Sequence, residues 1–168
     1  MTTLNELRQQ FQAGRLAKAA YIDQMNQRHR LLHEYGSLLA GTDIASIEIT
    51  EGRVLMTTRE GLKLICSKDD KRLAPLEMLN FGALEKPEAE MSLRLAPDGG
   101  TFLDIGANIG WYSLLLTQKL KRSRCLAFEP IPSTFKALKA HLALNQASRV
   151  TAFNLGFSDK AGKIDIYF

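Results

Sequence analysis

Cysteine and histidine are scarce in this 168-residue sequence, which has two of the former and three of the latter. Cys66 and Cys125 lie in apolar, strand-like segments, so we expect reduced thiols in the core rather than a disulfide. His33 and His141 have no Cys or Asp at ligand spacing. The sequence therefore predicts no metal site.

Long apolar runs are also missing. No segment approaches the length needed to cross a membrane, and the first residues lack the apolar core of a signal peptide. The net charge is only +4, and the densest basic cluster, residues 119–124, contains no aromatic residue. Nucleic-acid binding is therefore a weak interpretation. We expect a cytoplasmic protein with neither a membrane nor a nucleic acid as partner.

Apolar periodicity divides the chain into segments of different structure. Residues 2–40 repeat apolar side chains at helical spacing, and residues 43–66 alternate in the manner of a three-stranded antiparallel meander. Helical spacing returns over residues 70–96, where Pro87 is typical of a first helical turn. The predicted domains are a helical segment (1–42), a small β meander with helices (43–98) and a nucleoside-binding half-domain (99–168).

Apolar residues recur at steps of three and four between Ile22 and Leu39 and form a heptad seam. This seam is compatible with an antiparallel helix pair, a dimerisation coil or a helix docked on the main domain. His29 and Gly36 interrupt the seam, and a sustained coiled coil needs more heptads. A paired or docked helix is therefore favoured over a dimerisation coil.

Strands and helices alternate regularly after residue 99, which predicts a parallel sheet with right-handed crossovers. Ser133 is the expected N-cap of the second helix of this part. The predicted strands are 101–105, 124–128, 149–155 and 163–168, and the predicted helices are 111–120 and 134–145.

Two short segments carry the functional signal. One apolar run ends in Asp104 before a turn from Gly106 to Gly110, and a second run ends in Glu129, nineteen residues after Gly110. This order is typical of a nucleoside-binding β-α-β unit. The glycines let backbone approach a ligand where a Cβ would collide. Glu129, expected at a strand end outside the core, can take both ribose hydroxyls.

These residues favour S-adenosylmethionine (SAM) over a dinucleotide. A dinucleotide site uses the spacing G-x-G-x-x-G to bring bare backbone to a pyrophosphate, whereas this turn has Asn108 between Gly106 and Gly110. Asp104 would repel a pyrophosphate but suits the ammonium and sulfonium of SAM. A dinucleotide-dependent oxidoreductase is the weaker alternative. A turn without a ligand would explain Gly106 but not two acids at consecutive strand ends.

The segment from Phe102 to Ser113 resembles the first motif of the FkbM-type SAM-dependent methyltransferases. The resemblance covers about residues 80 to 168. Further segments that match the family's pattern are 127–132, 142–145, 154–159 and, with Leu84 in place of an aromatic residue, 82–85.

The resemblance implies a class I methyltransferase fold, SAM as cofactor, and methyl transfer to an oxygen of a small-molecule or glycan acceptor, often a sugar or secondary metabolite. It assigns no catalytic residue. For Ser158 and Asp159, a plain turn is an equal alternative to a role at the cofactor. The implied cofactor residues are Asp104, Gly106, Asn108 and Gly110 around the methionine part, Glu129 at the ribose, Glu85 in the upstream element, and Ser158 or Asp159 near the adenine.

The family's pattern continues, through a fourth parallel strand to another acidic motif, past the point where this sequence stops. We therefore expect an α/β fold with an incomplete, Rossmann-like parallel sheet, preceded by N-terminal helices and the small meander. The strand at 102–105 would be an apolar edge, covered by the remainder of a longer chain or by self-association. The predicted function is the SAM-binding half of an O-methyltransferase. The alternative is a truncated, methyltransferase-like binding or interaction module without turnover.

Overall fold

The computed structural model describes residues 2–68 and 74–162. The chain forms two compact units, Met1–Gly41 and Thr42–Phe168. The strand predicted over 163–168 lies outside the described residues. No helix within the described ranges combines the length and the apolar character that a membrane span requires.

The first unit consists of two helices, α1 (Leu4–Gln12) and α2 (Lys18–Leu39). The Phe11 ring stacks on Tyr21 with centroids 4.5 Å apart, and Arg28 Nη2 donates to the Thr2 carbonyl at 3.1 Å. The helices are therefore antiparallel, and Leu7 of α1 is buried. The predicted helices are confirmed, and they form a pair along the first part of α2.

The second unit begins with the predicted antiparallel meander, whose strands are β1 (Ile44–Thr50), β2 (Arg53–Thr58) and β3 (Lys63–Ile65) in that order. Ile44, Met56 and Leu64 are buried on one face, as alternation along a half-buried strand requires. Two helices follow, α3 (Ala74–Phe81) and α4 (Lys86–Leu95). Pro87 lies in the first turn of α4, as predicted, because proline has no N–H to leave unpaired there.

The rest of the unit consists of β4 (Thr101–Ile105), α5 (Trp111–Lys119), β5 (Arg124–Phe128), α6 (Pro132–Leu144) and β6 (Val150–Phe153). These strands form a parallel sheet in the order β4-β5-β6. The α/β class, with helices and a meander ahead of a Rossmann-like parallel sheet, is confirmed. Ser133 is not the N-cap of α6: the helix begins at Pro132 and Ile131 is its N-cap. The fixed φ of a proline at the first helical position suits helix initiation.

The two faces of the parallel sheet differ in burial. Cys125 and Ala127 are fully buried against Leu138 of α6. Leu103 and Ile105 lie on the opposite face of the pleated sheet, where they are 58% and 59% exposed. Among the described residues, β4 is an edge strand of this sheet.

His141 of α6 and Asn145, the C-cap residue of that helix, bind the outer edge of β3, and we call this contact the β3–α6 joint. His141 Nε2 accepts a hydrogen bond from the Ile65 N–H at 2.8 Å. Asn145 Oδ1 accepts from the Lys63 N–H at 2.8 Å, and Asn145 Nδ2 donates to the Lys63 carbonyl at 2.7 Å. The joint supplies the partners that an edge strand otherwise lacks, and it connects the meander to the parallel sheet.

Candidate functional site

A tight turn joins β4 to α5 at the carboxyl end of the sheet. Gly106, Asn108 and Gly110 have φ values of 79°, 50° and 90°, in the left-handed region that residues with a Cβ seldom adopt. The N–H groups of Gly106 and Ala107 both donate to the Phe128 carbonyl at 2.9 Å. The end of β5 therefore fixes the turn in place.

The two glycines of the turn have different surroundings. A Cβ added to Gly106 would meet no atom within 4 Å, whereas one added to Gly110 would lie 2.5 Å from Leu138 Cδ1. Packing against α6 is therefore sufficient to explain Gly110. Gly106 borders open space, which is the property expected of a backbone position that a ligand approaches.

Asp104 binds the start of α5. Its Oδ2 accepts from the Ser113 N–H at 3.1 Å and from Ser113 Oγ at 2.6 Å. Burial raises the pKa of the Asp104 carboxyl, the bonds from Ser113 oppose this, and the charge of Glu129 raises it further. A carboxylate thus occupies the helix N-terminus that would otherwise attract a phosphate.

Glu129 is 4% exposed, so the expectation that it lies outside the core is wrong. Its Oε2 accepts from the Asn108 N–H and its Oε1 from the Ile131 N–H, each at 2.9 Å. These N–H groups belong to the turns after β4 and β5, and neither has a strand partner there. The carboxylate turns inward because it satisfies both of them, and it holds the two turns together.

Glu85 reaches the same end of the sheet from the start of α4. It is the N-cap of that helix, with φ 40° and ψ 45°, but its side chain makes no capping bond. Its Oε2 instead accepts from Tyr112 Oη at 2.7 Å. Tyr112 is the second residue of α5, so this bond connects α4 to the residues just after the glycine turn.

The loop after β6 closes against the turn after β5. Asn154 Nδ2 donates to the carbonyls of Glu129 and Pro130 at 2.8 and 3.0 Å, and Phe157 meets Phe128 edge-on with centroids 4.8 Å apart. Ser158 and Asp159, next along this loop, are exposed, and Ser158 Oγ donates to Asp159 Oδ1 at 3.1 Å. Their place near an adenine stays a prediction.

The structure thus gathers most of the predicted residues at one end of the sheet. The set comprises Asp104, Gly106, Asn108, Gly110 and Glu129, with Glu85 joined to it through Tyr112. Sequence reasoning gave no role to Ser113 or Asn154. A signal existed for Ser113, since a small hydroxyl residue in the first helical turn after an acid-ending strand can bind that acid. For Asn154 there was none, because its partners are main-chain carbonyls.

Other candidate sites are less developed. The described residues contain no group of three or more His, Cys, Asp and Glu side chains placed to hold a metal ion. Both cysteines are free thiols, and burial raises the pKa of Cys125 to about 11. A cavity of about 340 Å³ lies elsewhere, between β3, the end of α5 and the α6–β6 loop. It is lined by none of the predicted site residues.

Comparison with known proteins finds methyltransferases. The chain is 32% identical over 108 residues to Methyltransferase sdnD of Sordaria araneosa, covering 57% of this chain and 42% of that protein. It is 33% identical over 72 residues to Methyltransferase 1 of Beauveria bassiana, covering 43% of this chain and 29% of that protein. The chain therefore spans less than half the length of these curated relatives. No family model matches, so the FkbM subtype stays a prediction.

Among solved structures, Pyrococcus horikoshii TYW2 in complex with MeSAdo aligns with a TM-score of 0.48 at 18% identity, covering 95% of this chain and 66% of that one. The methyltransferase relatives, the parallel sheet and the glycine turn all agree with the predicted class I methyltransferase fold.

Proposed function

We propose that this chain supplies the SAM-binding part of a methyltransferase. The observation that carries the proposal is Asp104, whose carboxylate occupies the start of α5 beside the open space at Gly106. A negative charge there opposes a pyrophosphate and favours the ammonium and sulfonium of SAM. Similarity to two proteins named methyltransferases supports the same conclusion.

The residues at the end of the sheet fit different parts of SAM. Gly106 and Asp104 border the space for the methionine part, with Asn108 and Gly110 shaping the turn behind it. Glu129 suits the ribose, because each carboxylate oxygen keeps a free lone pair beside its present bond. Since Glu129 is buried, ribose binding requires its carboxylate to turn outward or the neighbouring turns to open. Ser158 or Asp159 would lie nearer the adenine.

The finer proposal is an FkbM-type O-methyltransferase acting in the cytoplasm on a hydroxyl of a small molecule or glycan. When bound, SAM supplies an electrophilic methyl group to the acceptor oxygen. The residues of this chain bind and orient the cofactor. The acceptor pocket and the base would come from the remainder of a longer chain or from another copy.

Calorimetry with S-adenosylhomocysteine and with NAD tests the cofactor. We expect S-adenosylhomocysteine to bind and NAD not to bind. Asp104→Asn should weaken S-adenosylhomocysteine binding about tenfold, since a charged hydrogen-bond partner is lost. The matched control is Asp98→Asn, which removes an exposed carboxylate paired with Arg122. Tighter binding of NAD than of S-adenosylhomocysteine would overturn the proposal.

A transfer assay with radiolabelled methyl groups on hydroxyl acceptors tests the enzymatic part. If the chain binds S-adenosylhomocysteine but transfers no methyl group, either alone or as part of a longer protein, the alternative of a binding module without turnover is favoured.

A further inference from the structure

Glu85 is an unexpected residue at the N-cap of α4, because its side chain does not help the helix to form. Its backbone is left-handed, which is unfavourable for a residue with a Cβ. Its side chain binds no N–H group of α4, and only its main-chain carbonyl does so, accepting from the Ala89 N–H at 2.9 Å. The residues preferred at an N-cap use their side chains for such a bond. Such local strain is found where a side chain must be held in a particular place.

Tyr112 is what holds the Glu85 side chain. The hydroxyl donates to Oε2 at 2.7 Å across 27 positions of sequence. The tyrosine is half-buried in the first turn of α5, and the glutamate is exposed. The bond therefore fixes a solvent-facing carboxylate to a rigid helix, and it does not use the second oxygen, Oε1.

The electrostatic surroundings of Tyr112 connect it to Asp104. Burial is the main cause that raises the pKa of the Tyr112 hydroxyl, followed by the bond to Glu85 and by the charges of Glu85, Glu88 and Asp104. The hydroxyl therefore stays protonated and remains a donor throughout the physiological range. The hydrogen bonds also place both carboxylates at the start of α5: Glu85 binds the Tyr112 hydroxyl, and Asp104 binds the N–H and the hydroxyl of Ser113, the next residue of the helix.

We infer that Tyr112 is a positioning residue, whose hydroxyl holds the Glu85 carboxylate so that Glu85 and Asp104 together receive the ammonium group of the cofactor's amino-acid part. The inference rests on the proposed function. An ammonium offers three N–H donors, and Asp104 Oδ1 and Glu85 Oε1 are the carboxylate oxygens that the bonds from Ser113 and Tyr112 leave unused. Tyr112 acts only through Glu85.

Two nucleosides distinguish a role in binding the ammonium group from a general effect on the binding site. S-adenosylhomocysteine carries the ammonium, and 5′-methylthioadenosine has the same nucleoside and sulfur without the amino-acid part. We expect Tyr112→Phe, which keeps the ring, to weaken S-adenosylhomocysteine binding about three- to tenfold. Binding of 5′-methylthioadenosine should not change. Calorimetry measures both affinities.

Two further variants complete the test. Glu88→Gln removes a charge in the first turn of α4 that affects Tyr112 electrostatically but makes no hydrogen bond to it. This variant should leave the affinities for both nucleosides unchanged. In a Glu85→Ala background, Tyr112→Phe should cause no additional loss.

Three results would overturn the inference: an unchanged affinity in Tyr112→Phe, an equal loss for both nucleosides, or a further loss in the Glu85→Ala background. If the unaltered chain bound neither nucleoside, the proposed function would fail, and this inference with it.

Discussion

The β3–α6 joint and the carboxyl end of the parallel sheet both use polar side chains to bind distant groups, yet they differ in what they leave free. At the joint, Asn145 binds both main-chain groups of Lys63. The His141 ring is 2% exposed and accepts from the Ile65 N–H, and its Nδ1, which has no hydrogen-bond partner among the described residues, is buried away from solvent. At the carboxyl end of the sheet, Asp104 keeps an unused oxygen beside the glycine turn, and Glu85 keeps one at the N-cap of α4, where its own backbone is left-handed. Polar groups whose bonds are all internal stabilise a fold, whereas unused charge beside backbone strain indicates binding.

Glu129 belongs to both categories. Its sequence position is that of a ligand-binding acid, but its bonds to Asn108 and Ile131 are internal. Residue type alone therefore does not distinguish a structural acid from a ligand-binding one, whereas variants that change one region at a time do.

The largest effect is expected at the joint. His141→Ala removes a buried ring and leaves the Ile65 N–H without its acceptor, which should lower the free energy of unfolding by about 3 kcal/mol. Urea unfolding measures this loss. The control is His33→Ala, which removes an exposed imidazole from α2. Equal stabilities for the two variants would show that the joint contributes little.

The glycine turn should respond differently at its two ends. Gly110→Ala forces a Cβ against Leu138 at a positive φ, so we expect a loss of about 2 to 3 kcal/mol in the free energy of unfolding. Gly106→Ala meets no atom and should cost only about 1 kcal/mol, while reducing binding of S-adenosylhomocysteine. Thermal or urea unfolding combined with calorimetry measures both quantities. If Gly106→Ala were less stable than Gly110→Ala, the assignment of Gly110 to packing and of Gly106 to ligand binding would be wrong.

Acidification should weaken the joint by less than His141→Ala or Gly110→Ala lowers the free energy of unfolding. Burial lowers the pKa of His141, so the unfolded chain takes up a proton first as pH falls through about 6.5. The stabilisation is complete above that pH and is lost below it, by at most about 1.4 kcal/mol per pH unit. Asp104 acts in the opposite sense, because its raised pKa makes protonation favour the folded chain at lower pH.

Urea unfolding at about pH 8 and about pH 5.5 measures this dependence. His141→Gln, which does not titrate, should lose less stability between the two conditions than the unaltered chain. The same loss in both proteins would show that His141 is not the titrating group.

Several elements could be predicted from sequence because their causes are local. The strand Arg124–Phe128 and the start of α5 at Trp111 match their predicted positions, since an apolar run and a glycine turn act within a few residues. Ser133 was wrong as an N-cap because two residue types compete there, and Pro132 starts the helix. The sequence predicts only that His141 is not a metal ligand. Its hydrogen bond to Ile65 could not be predicted, because the two residues are 76 positions apart.

The sequence by itself determined the order of strands and helices, the glycine turn, and the two acids at consecutive strand ends. Each of these depends on neighbouring residues, whose spacing sets periodicity and backbone freedom. Only the tertiary structure decided that Glu129 faces inward, that Gly110 serves packing while Gly106 borders open space, and that Tyr112 holds Glu85. Those outcomes depend on which distant main-chain and side-chain groups the fold brings within hydrogen-bonding or van der Waals distance.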